Sequence, residues 1–136
     1  MVGRAIALDL AKEHTVHSFD LSEANLAELR SRNAAIQTTV ADLSAYDQYS
    51  SMLADADLVV TAVPGFMGYA TLEAAIRAGK NIVDISFFPE DSLQLSKLAK
   101  EMNVTVITDC GVAPGMSNLI LGRYNEEMKV NAFTCY

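Results

Sequence analysis

Four aspartates stand at the ends of short apolar runs: Asp20 after His17-Ser18-Phe19, Asp42 after Val40-Ala41, Asp84 after Ile82-Val83, and Asp109 after Val106-Ile107-Thr108. A carboxylate at the C-terminal end of a parallel strand lies where open α/β sheets bind ligands. There it can accept hydrogen bonds from a diol, hold an amine or move a proton. Gly3 opens an amphipathic segment 17 residues before Asp20. A glycine at the start of a helix, followed by an acid after the next strand, matches the last glycine and the ribose-binding acid of a dinucleotide-binding βαβ unit. The first strand and the first two glycines of that unit are expected to lie outside this sequence.

Each acid has a chemical reading and a plainer one. Asp20 can accept both adenosine ribose hydroxyls and would repel a 2′-phosphate, which favours NAD over NADP; it can also cap the following helix together with Ser22. Asp42 and Leu43 follow the next strand and can meet the adenine ring, or Asp42 can start a turn. After a third apolar run, Ala62-Val63-Pro64-Gly65 brings bare backbone to the edge that should underlie the nicotinamide. Asp84 and Asp109 would arrive on the substrate side, as amine-binding or proton-moving groups or as helix caps. Cys110 reads as a small buried hydrophobe rather than a nucleophile, and His14 and His17 as surface residues.

The elements that must position these residues follow from hydrophobic period. Helices are expected at about 3–13, 22–32, 44–53, 67–78 and 89–102, alternating with strands at about 15–20, 36–41, 57–63, 81–86 and 104–109. That alternation predicts a doubly wound parallel sheet of the Rossmann NAD(P)-binding kind. Gly3, Ala7 and Ala11 form a small-residue stripe suited to close packing. Ser22 and Ser44 are expected to cap, with Asp47 completing a box at Ser44. Gly79 should end a helix, and Pro89 should open one. A helix entered at Pro114-Gly115 ends near Arg123, and the alternation over 128–136 predicts a strand. Residues 1–123 are therefore read as the dinucleotide-binding domain and 124–136 as the start of a substrate and dimerisation domain.

Composition narrows the partners. The formal net charge is −7 and the ten Lys and Arg residues are scattered. This argues against nucleic acid or an anionic membrane, both of which select clustered basic residues. The longest apolar runs are strand length, far below the ~20 residues of a membrane span. The two cysteines, Cys110 and Cys135, lie in unrelated contexts and offer neither a disulfide framework nor a metal site. A cytoplasmic protein is the expectation.

Thr108-Asp109-Cys110-Gly111-Val112-Ala113-Pro114-Gly115-Met116-Ser117-Asn118 resembles the D-C-G-x-x-P-G-x-S-N segment of the saccharopine dehydrogenase and lysine 6-dehydrogenase family. Gly79-Lys80-Asn81-Ile82-Val83-Asp84 is similar to its G-K-x-x-V-D segment, and Ala62-Val63-Pro64-Gly65-Phe66 to its nicotinamide-side turn. Met1-Val2-Gly3-Arg4 is similar to the end of its glycine loop, which adds Val2 to Gly3 as a cofactor contact. These matches span nearly the whole chain.

The resemblance implies an NAD(P)-dependent oxidoreductase acting on a C–N bond of a small amino-acid substrate, with hydride transfer, imine formation and hydrolysis. Phe87-Phe88-Pro89-Glu90-Asp91 leans toward the lysine 6-dehydrogenase branch. It also implies a homodimer formed through the second domain. Two other readings stay open: a nucleotide-binding regulatory module without turnover, and a different NAD-dependent dehydrogenase.

Overall fold

A computed structural model of the chain describes residues 2–135. They fold as two units that divide between Tyr49 and Ser50. In the first unit, α1 (Val2–Leu10) is followed by β1 (His17–Asp20), α2 (Glu23–Arg32), β2 (Gln37–Val40) and a 3-10 turn at Tyr46–Gln48. β1 and β2 pair in parallel, from His17 opposite Gln37 to Asp20 opposite Val40. Parallel neighbours require a crossover, and α2 supplies it. The small-residue stripe behaves as its spacing demands: Ala7 is buried with Leu29 of α2 and Ile36, and Ala11 packs against the same cluster. Ser22 caps α2 by accepting from the Asn25 amide at 3.3 Å.

The short α3 (Tyr49–Met52) begins at the division, and the second unit continues with β3 (Leu58–Thr61), α4 (Gly65–Arg77) and β4 (Asn81–Asp84). A 3-10 turn at Ser92–Leu95 runs into α5 (Ser96–Glu101), and β5 (Val106–Ile107) and α6 (Met116–Glu127) follow. The sheet is parallel in the order β3-β4-β5, with Thr61 opposite Asp84 and Ile82 opposite Val106. Leu72, Ala75, Ile76 and Ile82 are wholly or almost wholly buried. Each of the larger three contributes roughly 1.5–3 kcal/mol of burial. α4 closes in a Schellman arrangement: the Gly79 amide donates to Ile76 O at 2.9 Å and the Lys80 amide to Ala75 O at 3.3 Å, with Gly79 at φ 72°.

Four local expectations are corrected. Ser44 caps no helix, because its hydroxyl and amide both turn back to Asp42, and the segment that follows forms only a 3-10 turn and the four residues of α3. Short polar side chains compete in this way with helix initiation. Pro89 lies before the helix rather than in its first turn; Asp91 is the cap, accepting from the Leu93 amide at 2.9 Å. α6 continues to Glu127, past the helix end expected near Arg123. The strand expected over 128–136 is absent from the described residues 128–135, which have alternation but no partner strand among them, and Tyr136 lies outside the described residues.

Candidate functional site

In the first unit, α1 runs toward the start of β1, so its N-terminus falls at the end of the unit where β1 and β2 finish. Val2 there is exposed and Gly3 half-buried. Asp20 is the last residue of β1 and is half-buried. Its Oδ1 accepts from the Ser22 amide at 2.8 Å and its Oδ2 from Asn25 Nδ2 at 3.3 Å. The capping reading is therefore true, and it leaves room for the other one. A carboxylate has about four acceptor positions, of which the helix takes two, so the remainder can receive a ribose diol from a carboxylate already fixed in direction. Asn25 was not legible as part of this arrangement.

Asp42 is exposed just beyond β2 and Leu43 half-buried beside it. Asp42 Oδ1 accepts from Ser44 Oγ at 2.7 Å and from the Ser44 amide at 2.9 Å. The hydroxyl first, and the amide second, hold this carboxyl below the usual aspartate range. A carboxyl with a depressed folded-state pKa contributes stability at pH above its unfolded value, and loses it as pH falls through the folded value. Ser44→Ala should therefore move the Asp42 titration, followed by carbon-detected NMR, upward toward the ordinary value; an unmoved midpoint would show that the hydroxyl does not matter. Leu43 is anchored by its carbonyl, which accepts from Tyr49 Oη at 2.9 Å.

In the second unit, Ala62 and Pro64 are exposed and Val63 half-buried in the turn from β3 to α4. A Cβ on Gly65 would stand 2.0 Å from the Phe87 carbonyl oxygen, so the loop after β4 rests directly on this turn. Phe66 and Phe87 project from it into solvent. Past the strand ends, the Ile85 amide donates to Thr61 O at 3.1 Å and the Cys110 amide to Asp84 O at 3.0 Å. The turns after β4 and β5 are thereby tied to the same edge, and Asp109 sits on the last of them, exposed, at φ 58°.

The structure separates the two acids expected on the substrate side. Asp109 is open to a ligand. Asp84 is 0 % exposed, and its Oδ1 accepts from Thr61 Oγ1 at 2.5 Å and from the Ser86 amide at 3.2 Å. A carboxylate at that depth cannot touch a substrate, so the expected catalytic role of Asp84 is replaced by one inside the fold. Thr61 and Ser86 were missed in the sequence. Their signal was the lone hydroxyl ending an apolar strand and a second one two residues beyond the acid. Cys110, expected to be buried, is exposed, with Sγ 3.7 Å from Thr108 O. Among the described residues no helix is long and apolar enough to cross a membrane.

Comparison with known proteins places these edges in context. Residues 1–107 match the family model described as the saccharopine dehydrogenase NADP binding domain. A saccharopine dehydrogenase [NADP(+), L-glutamate-forming] of Pyricularia oryzae is 28% identical over 85 residues, covering 59% of this chain and 19% of its own. A 2-(hydroxymethyl)glutarate dehydrogenase of Eubacterium barkeri is 33% identical over 117 residues, covering 84% of this chain and 38% of its own. The chain thus spans well under half the length of either relative. Among solved structures, apo saccharopine dehydrogenase (L-Glu forming) from Saccharomyces cerevisiae superposes with a TM-score of 0.81 at 21% identity, over 93% of this chain and 28% of that one. The WlbA dehydrogenase from Thermus thermophilus, solved with NAD and UDP-GlcNAcA, gives 0.63 at 21% identity, over 94% of this chain and 44% of that one. At such identities these likenesses speak for the Rossmann-type α/β fold.

Proposed function

The chain belongs to the saccharopine dehydrogenase NADP-binding domain family, and from that premise we propose that it is the dinucleotide-binding part of an amino-acid dehydrogenase acting on a C–N bond. The observation that carries the reading is Asp20, fixed at the end of β1 by Ser22 and Asn25 with acceptor positions to spare. In this reading Val2 and Gly3 face the pyrophosphate, Asp20 takes the adenosine ribose, and Asp42 and Leu43 meet the adenine. Ala62, Val63 and Pro64 face the nicotinamide. The cofactor supplies a hydride acceptor. The substrate loses a hydride from the carbon bearing its amine and a proton from the nitrogen, and water hydrolyses the resulting imine. Asp109 binds the amine or takes its proton; the remaining substrate contacts and a homodimer interface belong to other parts of the protein.

NAD is the preferred dinucleotide in this proposal, although the family is described by NADP. No basic residue follows Asp20 in Leu21-Ser22-Glu23, and Arg30 on the same helix is held by Glu23 and Thr38. A 2′-phosphate would meet the Asp20 carboxylate, with the Arg30 guanidinium already engaged.

The match to 2-(hydroxymethyl)glutarate dehydrogenase supports a second reading, oxidation of a hydroxy acid at a C–O bond. Steady-state assays of the full-length protein with lysine, saccharopine and a hydroxymethyl dicarboxylic acid distinguish the two. Dinucleotide reduction only by the amines is expected; reduction only by the hydroxy acid replaces the first reading with the second, and none by any of them favours a non-catalytic module. Asp109→Asn is a clean companion, since Asn tolerates the positive φ at least as well. It should lower kcat/KM by roughly 10²-fold with dinucleotide affinity unchanged. Unchanged kinetics would remove Asp109 from the site.

A further inference from the structure

Among the described residues of the second unit, three buried side-chain oxygens have no hydrogen-bond partner: Asp84 Oδ2, Ser86 Oγ and Thr71 Oγ1, on residues that are 0, 5 and 2 % exposed. An orphaned polar atom at that depth is costly, and three are not expected in so small a region unless something satisfies them. The register of the fold brings them together. Ile82, Asp84 and Ser86 alternate onto one buried face of β4 and its extension. α4 covers that face, because a Cβ on Gly68 would stand 3.1 Å from Ser86 Cβ.

α4 starts at the carboxyl edge and runs back along the strands. Three residues of helix advance ~4.5 Å from Gly68 to Thr71. Two residues of strand step ~6.6 Å back from Ser86 to Asp84. Thr71 therefore lies on the same helix face as Gly68, at a level between Ser86 and Asp84. One carboxylate oxygen and two hydroxyls make two to four partners, which is what an internal water requires.

We propose that Asp84, Ser86 and Thr71 enclose an internal water site between β4 and α4. The water donates to Asp84 Oδ2 and exchanges hydrogen bonds with the two hydroxyls, while Oδ1 remains with Thr61 and the Ser86 amide. Each oxygen of the Asp84 carboxyl group then has a hydrogen-bond partner inside the fold. The turn from Asp84 to Ser86 is held against α4 at both ends.

Thr71→Val and Ser86→Ala each delete one hydroxyl with little change of volume. A shared water predicts that each raises the unfolding equilibrium constant of the full-length protein by about fivefold. The double variant should lose less than the product of the two, because the second deletion removes a partner from a site already weakened. A high-resolution crystal structure should show ordered solvent within hydrogen-bond distance of Asp84 Oδ2. Dry hydroxyls predict the reverse sign: each replacement removes an unpaired polar atom and lowers the unfolding constant. Stabilisation by either variant, independent effects in the double variant, or empty density beside Asp84 Oδ2 would overturn the proposal.

Discussion

Gly115→Ala is expected to destabilise the protein by about 3 kcal/mol, lowering its Tm by roughly 10 °C, because the position forbids a side chain twice over. Gly115 has φ 135°, a conformation L residues rarely adopt. A Cβ there would also stand 2.1 Å from Gly111 O and 2.6 Å from Asp109 O, both rigid backbone atoms. Relief requires the whole Asp109–Gly115 turn to move, and with it the exposed carboxylate proposed to meet the substrate amine. Two other glycines calibrate the effect. Gly79 has φ 72° and open space around its missing Cβ, so Gly79→Ala should cost only about 1–2 kcal/mol. Gly122 lies within α6 with open space and no positive φ, and Gly122→Ala should stabilise by about 0.5–1 kcal/mol. Thermal melts of the three variants give the ranking, and a Gly115→Ala protein as stable as the parent would show that the turn is not built as described.

The order of elements was legible where a strand carries an apolar run, as Leu58–Thr61 and Asn81–Asp84 do, and where small residues face a neighbour, as Ala7 and Ala11 show against Leu29 and Ile36. Gly79 and Ser22 were legible because a left-handed helix end and an N-cap each demand a particular residue type at a particular place. Element ends were less so: Ser44 and Pro89 have the right type for caps, yet Ser44 finds Asp42 first and Asp91 outcompetes Pro89. The final alternation resembled a strand, but pairing is a property of two segments and no partner lies among the described residues. The placement of the aspartates at or just past strand ends was legible from position alone. What position could not reveal was depth, since Asp84 and Asp109 follow equivalent runs and only the Thr61–Asp84 register and the cover of α4 bury the first.

Asp20 carries the central claim, that the first unit reads the adenosine ribose and so selects the dinucleotide. Were a 2′-phosphate to approach this carboxylate to about 4 Å, the two unit charges would repel by up to ~4 kcal/mol at an effective dielectric of 20. Asp20 is only half-buried, so solvent reduces this to about 1.5–3 kcal/mol, or roughly 10- to 100-fold in affinity. Loss of the carboxylate removes both the repulsion and the diol contacts, weakening NAD and relieving NADP together. The most direct test is titration calorimetry of NAD and NADP on the full-length protein and its Asp20→Ala variant. The account predicts at least tenfold tighter binding of NAD by the parent and a ratio near one in the variant. Equal or tighter binding of NADP by the parent, or a ratio that Asp20→Ala leaves unchanged, would contradict it.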